Sequence, residues 1–265
     1  KRAWVVATTA MDVYSPRDTA MMSVIGEKRR WGDYKGARID TGIALAMIAR
    51  LYNIEIEIAI PANSTRERVQ TMEAFGAKVV LTETIEKARD YADAQVAKGG
   101  YVAVNQFANP DNYLAHYRTT GPELWRDTGG KITHFVSAMG TTGTIMGVSR
   151  YLKEQNPAIQ IIGCQPTDGS SIPGIRKWPV EYLPKIFDPS RVDRVIEVSE
   201  AESADMARKL VKVEGVFSGM SSGGAVVASL KLMEELAAQS PTADAVIVCI
   251  ICDRGDRYLS SDLFA

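Results

Sequence analysis

The chain is predicted to be an α/β protein whose parallel strands are covered by helices. Three observations predict this. From residue 42 onward strand-like and helix-like segments alternate, the pattern of βαβ units. Several strand candidates are apolar nearly throughout, as strands buried on both faces should be. The segments between them carry apolar residues at helical spacing, with charges on the opposite face.

In chain order the strand candidates are IEIEIAIP (54–61), AKVVLTE (77–83), YVAVNQF (101–107), THFVSAMG (133–140), IQIIGCQP (159–166), DRVIEVSE (193–200) and AVIVCIICD (245–253). The helical patterns are TGIALAMIARLY, STRERVQTMEAFG, IEKARDYADAQVAKGG, TTGPELWRDTGG, IMGVSRYLKEQ, ESADMARKLVKVEG and GGAVVASLKLMEELAAQ. Ser64 and Ser199 stand where N-caps belong, and Gly at helix ends supplies normal stops. No repeat, low-complexity tract or linker interrupts the pattern, so a domain boundary falls within it.

With 46% hydrophobic and 24% charged residues among 265, the composition is that of an ordinary globular protein. The net charge of -1 mixes both signs along the chain. That argues against a nucleic-acid face or a polybasic membrane patch and suits a small substrate. No apolar run approaches the roughly 20 residues that cross a bilayer, and the first residues lack a signal peptide's apolar stretch, so the cytoplasm is the expected compartment. The chain starts without Met in a strand-like run, and an N-terminal piece is expected to precede it. Cys164, Cys249 and Cys252 are too few for a disulfide framework. Cys249 and Cys252, three apart on a strand, point to opposite faces, against a redox or metal pair, and no metal site is expected.

Three junctions lie at the carboxyl ends of strands, where ligands of parallel sheets collect. Gly140-Thr141-Thr142-Gly143-Thr144 follows THFVSAM and opens a helix. Glycines let a backbone approach closely, hydroxyls donate, and a helix N-terminus attracts an anion, so the loop suits phosphate; the plain alternative is a turn without ligand. It has neither the Walker lysine nor G-x-G-x-x-G. Gly219 to Ala225 (GMSSGGA) is a second strand-to-helix junction and Ile251 to Ser260 (ICDRGDRYLS) a third. Arg176 and Lys177 offer charges for an anion, against the bland reading of a solvated loop.

The phrases TGIALAMIA, NQFANPDN, AHYRTTGPE, THFVSAMGTTGTIMGVSRYL, GSSIPGIRKWP, SSGGAV and IICDRGDRYLS occur in that order over residues 41–265. Together they resemble the cysteine synthases of the B type, in the pyridoxal phosphate (PLP) family that also holds tryptophan synthase β. The resemblance implies the two-domain PLP fold type II. The larger, cofactor-binding domain would be 1–19 with 121–265 and the smaller, mobile one 20–120. It further implies a homodimer and a β-replacement forming L-cysteine from O-acetylserine and sulfide or thiosulfate. By the same resemblance Gly140, Thr141, Thr142, Gly143 and Thr144 cradle the cofactor phosphate and Ser221 meets the pyridine nitrogen. Thr41 and Gln106 hold the substrate carboxylate. Arg176, Lys177, Cys252 and Asp253 form a polar pocket that accepts anionic sulfur donors. His116 and His134 match no catalytic role.

The resemblance breaks near the start. The family's imine lysine, in a motif like S-V-K-D-R, falls on Ser15-Pro16-Arg17-Asp18-Thr19, so Arg17 fills the catalytic position. A guanidinium stays protonated and is no amine nucleophile. Where the family has T-S-G-N-T-G, this chain reads Ala37-Arg38-Ile39-Asp40-Thr41-Gly42, with Asp40 for the asparagine beside the cofactor. Lys28 and Lys35, the nearest lysines, sit in a charged segment that reads as surface. Two explanations stand: a catalytically inactive relative acting as a binding or regulatory protein, or a segment 1–40 that does not copy the natural polypeptide. For function, a third reading beside the cysteine synthase and the binding protein is another PLP lyase, such as a serine or threonine dehydratase.

Overall fold

The computed structural model describes residues 4–9, 39–239 and 245–265. Two compact units emerge. The first holds β1 (Trp4–Thr9) and Pro110–Asp256 with Phe264; the second runs from α1 (Ile39–Leu51) to Asn109 and takes in Arg257–Leu263.

The first unit is built on a five-stranded parallel sheet in the order β1-β7-β4-β5-β6. Its other strands are β4 (His134–Ala138), β5 (Gln160–Pro166), β6 (Arg194–Val198) and β7 (Val246–Ile251). In the register, Val136 stands beside Ile162 on one side and Cys249 on the other. Alternation along each strand sends side chains to two buried faces. Phe135, Ile161 and Val248 pack with Ile145, Met146 and Leu152 of α6 (Gly143–Gln155). The neighbouring positions face α8 (Met220–Gln239), where Cys164 Sγ approaches the Gly224 carbonyl at 3.6 Å. Among the described residues none of the three cysteines forms a disulfide. The α/β class with parallel strands is therefore the observed one.

In the second unit β2 (Glu57–Pro61) and β3 (Lys78–Thr82) pair in parallel, with α1, α2 (Arg66–Ala74) and α3 (Ile85–Ala97). Ile43, Ala46, Ile58, Ile60 and Met72 form its core.

Two local expectations are corrected, and one helix is added. Residues 101–107 form no strand: no ladder partner exists among the described residues, and Asn105 takes φ 44° to open a turn closed by the Ala108 amide. Ser64 does not cap α2; its hydroxyl bonds the Pro61 carbonyl at 2.6 Å, and Thr65 holds the N-cap position. A helix without a strong periodic signal, α4 (Asp111–Arg118), precedes α5 (Thr120–Asp127) and packs on α6. Gly147 permits this, because a Cβ there would overlap the Tyr113 carbonyl oxygen. Ser199 does cap α7 (Glu200–Glu214), in a capping box with Glu202, and Gly215 ends that helix at φ 67°.

Candidate active site

The loop after β4 is held open by its backbone. Thr142 adopts the left-handed conformation at φ 69°, which turns the chain sharply before α6 begins at Gly143. That conformation costs a β-branched residue about 1–2 kcal/mol, a strain characteristic of functional turns. The Thr142 hydroxyl is buried and has no hydrogen-bond partner among the described residues. Thr141 accepts a hydrogen bond from Asn112 Nδ2 at 3.3 Å. Gly143 has no room for a side chain, since a Cβ would overlap the Asn112 carboxamide.

The segment Ile172–Trp178 folds back along this loop. Arg176 donates its amide to the Met139 carbonyl at 2.7 Å, and the Trp178 indole donates to the Gly140 carbonyl. Gly174, at φ 94°, lies against Ser221, whose Oγ would stand 3.0 Å from an added Cβ. Ser221 is buried at the second position of α8, and its hydroxyl makes no hydrogen bond among the described residues. Its neighbour Ser222 is committed elsewhere, accepting from the Cys252 amide at 2.9 Å and donating to Asp253 Oδ1 at 3.1 Å. The same carboxylate oxygen accepts the Gly219 amide at 3.2 Å. Asp253 thus fastens the start of α8 to the end of β7.

The carboxyl ends of β4, β5 and β7 accordingly bring together Gly140–Thr144, Ser221, Arg176, Cys252 and Asp253. A concavity of about 290 Å³, lined by Asp168, Ser170, Ser171, Ile172 and Arg176 among others, opens at the end of β5. Lys177 on its rim is paired with Asp168 at 2.7 Å and Glu197 at 3.0 Å, and the Asp168 contact leads in raising its pKa. Arg176 has no ion pair among the described residues, so of the two cations it keeps the freer charge. Thr41 and Gln106 belong to the second unit; Gln106 is buried, and Thr41 is half-buried on α1. Asp40 lies in the first turn of α1. Arg17 falls outside the described residues.

The residues present fit a phosphate ester. The unpartnered Thr142 hydroxyl, the first amides of α6 and the positive end of that helix all address an acceptor-only anion. Ser221 presents a neutral hydroxyl that makes no hydrogen bond among the described residues. Among the described residues no His, Cys, Asp and Glu cluster suits a metal ion, and no helix is long and apolar enough to cross a membrane.

Sequence reasoning missed the supports of the loop. Asn112 and His116 share one face of α4, four residues apart. His116 is half-buried, with Nε2 3.2 Å from Thr144 Oγ1 and Nδ1 3.0 Å from Thr120 Oγ1. Burial pushes its pKa down to about 4. The signal available was two polar side chains one turn apart, in a stretch without clear helical periodicity.

The family model of pyridoxal-phosphate dependent enzymes matches residues 40–253. Cysteine synthase B of Pseudomonas aeruginosa is 58% identical over 228 residues, 85% of this chain and 74% of the relative. Cysteine synthase B of Escherichia coli is 48% identical over 260 residues, 94% of this chain and 84% of the relative. Among solved structures, the cysteine synthase of Entamoeba histolytica superposes with a TM-score of 0.81 at 32% identity, covering 94% of this chain and 78% of that one. The chain therefore belongs to the pyridoxal-phosphate dependent enzymes, and within them to the cysteine synthases of the B type.

Proposed function

We propose that this chain forms L-cysteine by β-replacement, exchanging the acetyl group of O-acetylserine for sulfur. The observation that carries this reading is the Thr142 hydroxyl, buried and without a partner among the described residues, in a strained loop at the end of β4, a donor waiting for an anion. Gly140–Thr144 would hold the phosphate of PLP. Bound there, PLP supplies an electron sink for the substrate carbon next to the amine.

The protein's own groups do the rest. Ser221 would meet the ring nitrogen with a neutral hydroxyl, so the nitrogen need not be protonated, which suits elimination at the β carbon over other fates. Asp253 holds Gly219 and Ser222, while the Ser221 hydroxyl makes no hydrogen bond among the described residues. In the second unit Thr41 and Gln106 are assigned to the substrate carboxylate. Arg176, with Cys252 beside the Ser222 anchor, is assigned to an anionic donor such as thiosulfate; the pairing of Lys177 leaves it a lesser part. Free cysteines agree with a reducing, cytoplasmic setting, and the resemblance to B-type enzymes supports a homodimer.

Position 17 decides the chemistry. Arg17 supplies no amine, and it lies outside both the described residues and the family match. Purified protein given PLP, O-acetylserine and sulfide is expected to release cysteine and acetate in equal amounts. Borohydride reduction and peptide mapping over residues 1–40 would place the pyridoxyl label on a lysine aligned with position 17. A confirmed Arg17, no label and no cysteine formed would sink the reading.

A further inference from the structure

Four residues on α4 and α6 meet with unusual closeness. On α6, Gly143 and Gly147 stand four apart, and a Cβ on either would overlap α4: the Asn112 carboxamide at the first, the Tyr113 carbonyl at the second. The approach that these glycines allow places Asn112 on Thr141 and His116 on Thr144. Two side chains one turn apart on α4 therefore each touch one threonine of the loop assigned to phosphate.

The direction of these bonds matters. Asn112 donates through Nδ2, so Thr141 Oγ1 is the acceptor and its own O–H proton stays available. His116 lies between two hydroxyls, Thr120 at Nδ1 and Thr144 at Nε2. A neutral imidazole donates from one nitrogen and accepts at the other, which leaves two arrangements. With the proton on Nδ1, Thr144 must donate its hydroxyl to His116. With the proton on Nε2, Thr120 donates to Nδ1 and Thr144 accepts from Nε2, freeing the Thr144 proton. A phosphate dianion only accepts, so the second arrangement alone gives it a donor from Thr144. Desolvation of the ring pushes its pKa down to about 4, so it is neutral throughout the working range.

We infer that His116 is a positioning residue: as the Nε2–H tautomer, relayed from Thr120, it turns the Thr144 hydroxyl toward the cofactor phosphate, as Asn112 does for Thr141. This rests on the reading that Gly140–Thr144 holds phosphate, and it gives a role to a half-buried histidine and a helix that the chemistry otherwise leaves unused.

The chain has two histidines, so the His116 ring can be assigned by ¹⁵N labelling and comparison with a His134→Gln variant. With PLP bound, long-range ¹H–¹⁵N correlation is expected to show Nε2 protonated and Nδ1 bare; Nδ1–H or a protonated ring overturns the inference. In titrations of the cofactor-free protein, His116→Leu is expected to weaken PLP about tenfold. His116→Gln, whose amide can still donate to Thr144, should recover part of this, and Thr144→Val should add nothing to His116→Leu. Full PLP affinity in His116→Leu overturns the proposal. Pyridoxal lacking the phosphate separates the two levels. Wild-type protein that binds pyridoxal as tightly as PLP refutes the phosphate reading and the inference with it. A wild-type preference for PLP that survives intact in His116→Leu refutes the inference alone.

Discussion

Ser222 Oγ stands between the Cys252 amide, 2.9 Å away, and Asp253 Oδ1, 3.1 Å away, while the adjacent Ser221 hydroxyl has no such engagement. Two consecutive serines at the start of α8 thus divide the work: one ties the helix to β7, the other faces the candidate site. Ser222→Ala would leave a buried amide and a carboxylate oxygen short of a partner, a loss of about 1–3 kcal/mol. Ser221→Ala should stay within ~0.5 kcal/mol of wild type in stability and lower turnover instead. Urea unfolding and the cysteine assay on both variants check the division; equal stability losses would contradict it.

Thr142→Val keeps the shape and removes an unsatisfied buried hydroxyl. Without ligand the variant should be as stable as wild type or more so by ~1 kcal/mol, because burying an unbonded hydroxyl is costly. PLP affinity should fall about tenfold or more, since the lost bond is to a charged acceptor. Cofactor-free unfolding curves and PLP titration read the opposite signs.

Arg176→Ala is expected to raise the KM for thiosulfate about tenfold, the scale of one charge-assisted hydrogen bond. Lys177→Ala should change it less than about threefold, because Asp168 and Glu197 already balance that ammonium. Neither change should alter the KM for O-acetylserine. A larger effect at Lys177 would reverse the assignment.

Gly147→Ala would gain roughly 0.5–1 kcal/mol of helix propensity. It would drive a methyl into the Tyr113 carbonyl and the His116 Cβ, where backbone has to yield. Overpacking of this kind costs about 1–3 kcal/mol or more, so the net result is destabilisation. Thermal unfolding of the variant should show a lowered Tm.

Glu202 completes the capping box of α7 and meets Lys231 at 2.8 Å. The Lys231 contact first, then the Ser199 amide, brings its pKa from 4.5 to about 2. Folding therefore releases a proton that the unfolded chain would hold between those values. The stabilisation is complete above pH 4.5 and is lost as pH falls through about 2. With the side chain partly exposed, Glu202→Gln should cost roughly 0.5–1 kcal/mol at pH 7. The difference from wild type should shrink as the pH is lowered toward 2, measured by urea unfolding at several pH values.

Periodicity and turn chemistry by themselves determined the α/β class, because parallel strands buried on both faces must be apolar throughout and the helices over them amphipathic. Six of the seven strand candidates formed strands in the structure. Motif chemistry also located the loop at 140–144, since small residues before a helix expose its amides. Other matters were decided by long-range contacts that no window of sequence contains. YVAVNQF has strand composition, yet without a ladder partner among the described residues it is no strand. Asp111–Arg118 has little periodicity, yet Gly143 and Gly147 on a distant helix let it pack as α4. The units divide after Asn109 because α4 packs on α6. The unequal standing of Ser221 and Ser222, or of Arg176 and Lys177, follows from Asp253, Asp168 and Glu197. Those partners lie 9 to 31 residues away along the chain, and only the folded backbone brings them within bonding distance.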